Sequence, residues 1–172
     1  MTPAPERPSA AEVLPLLDQA TAAATGQAFF DALTRNVSLA LGVNCTFVAR
    51  FSADHAVAHV CSFWLGHQFL APFEYTLPGT PCEQVLNGEV AAYDRDVANR
   101  FPDHRSELED IHAQSYLAIP MKDTGGRVIG HFAVIDTAER HWEETDIGIL
   151  RIFAARATAE LERQAFEATL QA

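Results

Sequence analysis

QSYLAIPMKDTGGRVIGHFAVID (residues 114–136) is two apolar runs around a short polar loop. Gln114 to Met121 reads as a strand, because β-branched, aromatic and apolar residues dominate it and turn residues bound it. Asp123-Thr124-Gly125-Gly126 reads as a hairpin loop, since two glycines supply backbone angles that other residues avoid. Val128 to Asp136 is the returning strand. Its nine residues are almost all apolar, which predicts a central strand buried on both faces.

Working toward the N-terminus, two further strands follow from alternation and turns. Cys45, Phe47, Ala49 and Phe51 fall on one face of residues 45–51, with Thr46, Val48 and Arg50 on the other. Ser52-Ala53-Asp54 is a turn, and residues 56–64 form the second strand. After Gly66, residues 69–77 read as a third, which Pro72 confines to an edge or irregular position because proline cannot donate to a ladder. Before these strands, residues 10–41 read as helical. Leu14, Leu17, Ala20 and Ala24 repeat at helical spacing. Gly26 is a candidate break. Phe29, Phe30, Leu33, Val37, Ala40 and Leu41 form a second apolar stripe that stops at Gly42.

Between the strand groups lies LPGTPCEQVLNGE (residues 77–89). Thr80 suits a helix N-cap, Pro81 the first helical position, and Glu83 completes the pattern of a capping box. Gly88 suits the stop. Cys82 thereby enters the first turn of a short helix, where the helix dipole favours a thiolate. It is equally a small apolar side chain of the kind that fills cores. The segment from Tyr93 to His112 is polar and turn-rich, with a short helix over residues 106–112. A long helix over residues 143–171 ends the chain, with Leu150, Ala154, Ala157 and Leu161 on one face. Short turns within each strand group make the sheet antiparallel, so the expected class is α+β with helices on one face.

Composition narrows the function. The 172 residues are 48% hydrophobic and 20% charged, enough for one domain with a sizeable core. The formal net charge is −11 and the isoelectric point about 4.9, which disfavours nucleic acid and anionic membranes. No apolar run reaches the length of a membrane span. The Pro- and Ala-rich start is not a signal peptide and reads as a disordered lead over residues 1–12. Three widely spaced cysteines argue against a disulfide framework and for a reducing cytoplasm. His59 and Cys61 share a strand face with His55 upstream, but no fourth ligand has a defined place, so no metal site is expected.

Several separated pieces resemble a GAF domain of the type found in bacterial sensor kinases, cyclic-di-GMP enzymes and enhancer-dependent activators. They are GTPCE, DVANRFPD, QSYLAIPM, GGRVIGHFAVID and RHWEETDIGIL, within a likeness spanning about residues 29–162. The resemblance implies a twisted antiparallel sheet with the terminal helices on one face and a lidded pocket on the other. The segments 80–87 and 92–112 would form the lid. The domain itself is expected over residues 13–162, with residues 163–172 continuing the last helix as a coiled-coil linker.

That architecture makes Phe63, Trp64, Tyr75, Cys82, Val85, Phe101, Tyr116 and His131 the candidate ligand-binding residues. Together they would give an apolar wall with a few polar tips. Alternation puts His131 in phase with Ile129, Ala133 and Ile135. From there it would ligate haem iron, bond an anionic ligand, or sit satisfied in the core. The resemblance implies a non-catalytic sensory module that relays pocket occupancy through its terminal helices. Implied partners are a small ligand of unknown identity, a second copy bound through those helices, and an output domain or kinase. Bilin-binding relatives attach pigment through a cysteine commonly followed by histidine. Here Thr46, Ser62 and Glu83 follow the three cysteines. Free methionine sulfoxide reductases, the thiol-enzyme alternative, carry their nucleophile in the segment before the fifth strand, and residues 99–116 contain no cysteine. A pure dimerisation or interaction domain, its pocket filled by its own side chains, is the third reading.

Overall fold

Strong alternation and a glycine loop produce the centre of the molecule. The structure, a computed structural model, describes residues 11–16 and 25–171. Its strands are β1 (Cys45–Phe51), β2 (Val57–Leu65), β3 (Gln68–Leu70), β4 (Glu74–Thr76), β5 (Ala91–Tyr93), β6 (Ser115–Lys122) and β7 (Val128–Asp136). Its helices are α1 (residues 11–16), α2 (Gln27–Leu41), α3 (Val97–Arg100), α4 (Arg105–Asp110) and α5 (Glu144–Gln171), with 3₁₀ turns at Pro81–Asn87 and Pro102–His104. Residues 1–10 of the expected lead over residues 1–12, and Leu17, Ala20 and Ala24 of the first stripe, lie outside the described residues; residues 11 and 12 belong to α1 and not to the lead.

All pairings are antiparallel, in the order β3-β2-β1-β7-β6-β5, with β4 sharing the outer side of β2. β7 is central, as its apolar run predicts. Pro72 separates β3 from β4, so the expected third strand becomes two three-residue strands. β5 is absent from the sequence reading, because three residues carry no periodicity. Its partner is β6, through Ala91↔Ala118 and Tyr93↔Tyr116.

The sheet carries a core on each face. On one side Phe30, Leu33 and Val37 of α2 meet Leu150, Phe153 and Ala157 of α5 over Val48, Leu117, Phe132 and Val134. The stripe Leu150, Ala154, Ala157 and Leu161 is thus buried against the chain's own sheet. On the other side the 3₁₀ turn, α3 and α4 cover Phe47, Ala49, Tyr116 and Ala133. The fold is α+β, with the long helices on one face and a lid on the other.

Two bulges change which face a residue meets. In β2, Val48 pairs Ser62 while Ala49 pairs Val60, leaving Cys61 over. In β7, Met121 pairs Gly130 while Lys122 pairs Val128, leaving Ile129 over. Each extra residue reverses the alternation beyond it. Ile129 therefore packs toward the helix-side core, not in phase with His131 as alternation predicts.

The capping box around Thr80 does not close. The turn is 3₁₀, so Glu83 cannot reach the N-cap amide. It accepts instead from the Gly79 amide at 3.0 Å, and the Thr80 hydroxyl turns back to the Leu77 carbonyl at 2.6 Å. Gly88 does supply the left-handed stop, at φ 77°.

Arg140 ties the end of α2 to the strand β7. Its guanidinium donates to the Leu41 carbonyl at 2.8 Å and the Gly42 carbonyl at 3.1 Å, and it lies 5.0 Å from the Trp142 ring centroid. These carbonyls are among those a helix end leaves unmet. Arg140→Met keeps the stem and removes the donors. Urea titration should show a loss of about 2 kcal/mol. An unchanged midpoint would mean that water serves these carbonyls as well as the guanidinium does.

Candidate functional site

Alternation on β7 and β6 sends His131 and Tyr116 toward the lid. The short turn after Pro81 brings Cys82 down onto them, and β4 leans Tyr75 across from the edge. The four side chains meet. Tyr116 donates its hydroxyl proton to Cys82 Sγ at 3.0 Å, and Tyr75 donates to the same sulfur at 3.2 Å. The Tyr75 oxygen is also 2.9 Å from His131 Nε2. Tyr75 has one proton, so donation to the sulfur leaves His131 Nε2–H as the donor to the Tyr75 oxygen. Nδ1 then carries a bare lone pair, buried and without a partner. The opposite tautomer would orphan a buried N–H, the rarer fault in folded proteins.

The surroundings are aromatic. The Phe47 ring stands edge-on to His131 at 5.2 Å, Phe51 lies at 5.1 Å, and Phe63 stacks on Phe47 at 5.0 Å. Burial pushes the His131 pKa down to about 3, so the ring is neutral. Burial likewise raises the Cys82 thiol, against a downward pull from the hydroxyls of Tyr116, Tyr75 and Thr80. Tyr75 and Tyr116 are raised well above the ordinary phenol value, first by burial and then by the neighbouring thiol. The cluster is thus a neutral hydrogen-bonded chain, and Cys82 is held as a thiol.

The other candidates divide. Phe63 and Val85 line the same core, and Phe101 sits at its rim against Tyr93, with centroids 5.3 Å apart. Trp64 does not join them. It pairs with Thr46, whose hydroxyl faces α2, and lies under Arg35 of α2 and beside Phe69. The bulge at Cys61 accounts for this, placing Val60 and Phe63 on the lid side and Trp64 on the other. The sequence reading missed Phe47 and Phe51, although their alternation with Cys45 and Ala49 carried the signal. It also missed the clasp between Gln84 and Tyr93, whose hydroxyl donates to Gln84 Oε1 at 2.8 Å.

Two surface clefts, of about 350 and 380 Å³, lie elsewhere. One is lined by Asp96, Asn99 and His112, the other by Lys122, Arg151 and Thr158. None of the eight candidates lines either. Among the described residues no three of His, Cys, Asp and Glu are grouped to hold a metal ion. His59 instead pairs with Glu74 at 2.7 Å. No helix among the described residues is long and apolar enough to cross a membrane.

The GAF domain family description matches residues 25–161, four-fifths of the chain. This protein is a GAF domain. GAF domains are generally regulatory, sensory modules. Solved structures share the fold at low identity. The GAF domain from a phosphoenolpyruvate-protein phosphotransferase of Coxiella burnetii superposes with a TM-score of 0.74 at 16% identity, over 94% of this chain and 99% of that one. The corresponding domain from Acinetobacter gives 0.71 at 13% identity, over 92% and 96%. A far-red absorbing dark state with bound biliverdin IXa gives 0.70 at 12% identity, over 88% and 98%. No curated protein matches. At these identities the likeness establishes the fold alone, and leaves the ligand to the residues.

Proposed function

We propose that this GAF domain is a non-catalytic sensory module in a bacterial signalling protein, with its pocket between the sheet and the lid formed by Pro81–Asn87, α3 and α4. The observation that carries the reading is the convergence of Tyr75, Cys82, Tyr116 and His131 on one aromatic-walled point, with a buried ring nitrogen left unmet. Unmet buried polar atoms are rare in folded proteins, and an entering ligand is one way to meet this one. A ligand entering there separates the lid from β6 and β7. The strain passes through the sheet to α2 and α5, which pack on its far face.

The raised Cys82 thiol counts against a thiolate nucleophile, so the geometry favours sensing over a reductase. Self-filling of the pocket is the observation behind the second reading, a ligand-free interaction domain. Native mass spectrometry beside a denatured control separates the two. Excess mass lost on denaturation is the expected result for the sensor. The intact chain without excess mass, purified from several sources, supports the interaction domain.

Both readings include a homodimer. Ile152, Phe166 and Leu170 of α5 and Leu39 of α2 are exposed, with Phe166 and Leu170 at 65% and 69%. Large apolar groups left on helix faces favour burial against a partner. Sedimentation should show a dimer, and Phe166→Glu should weaken it by about tenfold or more. A monomer at micromolar concentration removes this element of the proposal.

A further inference from the structure

The pocket already holds an aromatic hydroxyl, and it belongs to the chain. Tyr75 reaches in from β4, and its hydroxyl serves two groups at once. It accepts from His131 Nε2–H at 2.9 Å and donates to Cys82 Sγ at 3.2 Å. Its ring runs along the aromatic wall, 6.4 Å from Phe73.

Tyr75 also stands on a less secured element than His131 and Tyr116 do. His131 and Tyr116 stand on β7 and β6, in the middle of the sheet. β4 has three residues and lies off the main path of the sheet, paired on one side to β2. Glu74 and Thr76 on either side of Tyr75 are exposed, as are residues 71–73 before them, while Tyr75 itself is half-buried. Short edge elements with few buried contacts open at low free energy.

On the sensory reading above, we infer that the pocket's ligand is a small phenol, which displaces Tyr75 and takes over the position of its ring and hydroxyl. Whatever replaces Tyr75 must supply an acceptor for His131 Nε2–H and a donor for the Cys82 sulfur. One phenolic hydroxyl does both. An aromatic hydrocarbon does neither: it leaves His131 Nε2–H unmet and the Cys82 sulfur with the Tyr116 hydroxyl alone. A carboxylate or phosphate brings a charge to a site with a neutral imidazole and no Lys or Arg in the cluster, and an ammonium finds no acid there. The exchange of one ring for another also explains why no open cavity is needed at this point in the closed form.

The tethered Tyr75 competes with the ligand, so the intact chain binds more weakly than a chain without the plug. The probes are 4-methylphenol, which is the tyrosine side chain cut at Cβ, and toluene, which lacks the hydroxyl. Calorimetry on Tyr75→Ala should show 4-methylphenol binding roughly tenfold or more tighter than toluene. It should also bind tighter than it does to the intact chain. Equal binding of the two probes, or no binding of 4-methylphenol at millimolar concentration, overturns the inference. If Tyr75→Ala is unfolded, refolding by 4-methylphenol and not by toluene becomes the readout, because a ligand of the native state drives folding by mass action. Failure to refold it overturns the inference equally. Tyr75→Phe keeps the ring and loses both hydroxyl bonds, so 4-methylphenol should displace it more readily than it displaces Tyr75, and toluene should not; binding of 4-methylphenol to Tyr75→Phe no tighter than to the intact chain would show that the phenol does not take the position of Tyr75. A co-purified ligand of another class in the mass spectrometry above would remove the phenol and keep the sensor. No ligand in either experiment would remove both.

Discussion

Gly130→Ala is expected to cost about 3–5 kcal/mol, a large fraction of the roughly 5–15 kcal/mol that holds a typical domain. A Cβ at Gly130 would stand 2.2 Å from the Ala49 carbonyl oxygen, 2.8 Å from Met121 Cε and 3.3 Å from the Ala49 carbonyl carbon. The methionine end can swing aside. The Ala49 carbonyl cannot, because β1 is held between β2 and β7 through Ala49↔Val60 and Ala49↔His131. Both bulges lie beside this point, so relief by sliding one strand would disturb two registers. The damage also reaches the site, since His131 is the next residue. Gly148→Ala is the internal control. Nothing lies within 4 Å of its Cβ position on α5, and alanine is the better helix former. Its urea midpoint should hold or rise, while that of Gly130→Ala collapses. A Gly130→Ala midpoint close to that of the unaltered chain would show that β1 and β7 can part at this point at little cost.

The glycine at residue 130 marks where sequence reading succeeds and where it stops. β1 and β7 cover the residues that alternation and the apolar run predict, and α5 begins one residue later than expected. These elements have a period, and burial enforces it. The departures come from features without one. β5 is three residues long. The Thr80–Glu83 spacing fits a capping box, but a 3₁₀ turn holds Glu83 on Gly79 instead. The bulges at Cys61 and Ile129 are one-residue insertions, and nothing in VAHVCSFWL or VIGHFAVID says where the count slips. That slip moved Trp64 to the helix side and Ile129 out of phase with His131. The family resemblance put Tyr75, Cys82, Tyr116 and His131 near a pocket. It did not say that they bond to one another, because that depends on how far β4 leans inward over β2. Helical spacing alone leaves the stripe on α5 free to face the chain's own sheet or a second copy. Leu150, Ala154, Ala157 and Leu161 are buried on the sheet, and the outward face is carried by Ile152, Phe166 and Leu170.

Stability should fall as the pH is lowered from 6.5 to 4.5, and His131 should account for about 2–3 kcal/mol of the fall. The ring is fully buried, and burial holds its pKa down to about 3. In the unfolded chain it returns to roughly 6.5. Above that value neither state binds the proton, so the full stability is present. Below it the unfolded chain is protonated and the folded chain is not. Each pH unit then favours unfolding by about 1.4 kcal/mol until the folded pKa is reached. Glu160 acts in a different window. The Arg163 guanidinium beside it and the Gly26 amide hold its carboxyl below the usual range, so its contribution is full above the ordinary carboxylate value and is lost only as pH falls further. Urea titrations at pH 7.5, 6.5, 5.5 and 4.5 on the unaltered chain and on His131→Phe isolate the histidine. The readout is the slope with pH and not the absolute stability, which the lost bond to Tyr75 also lowers. The two slopes should differ by close to one proton across this window. Parallel slopes would mean that His131 takes up its proton in the folded chain, and hence that water already reaches the inner wall of the pocket. Tyr75 would then be a loosely seated plug, and the lid would stand open without a ligand.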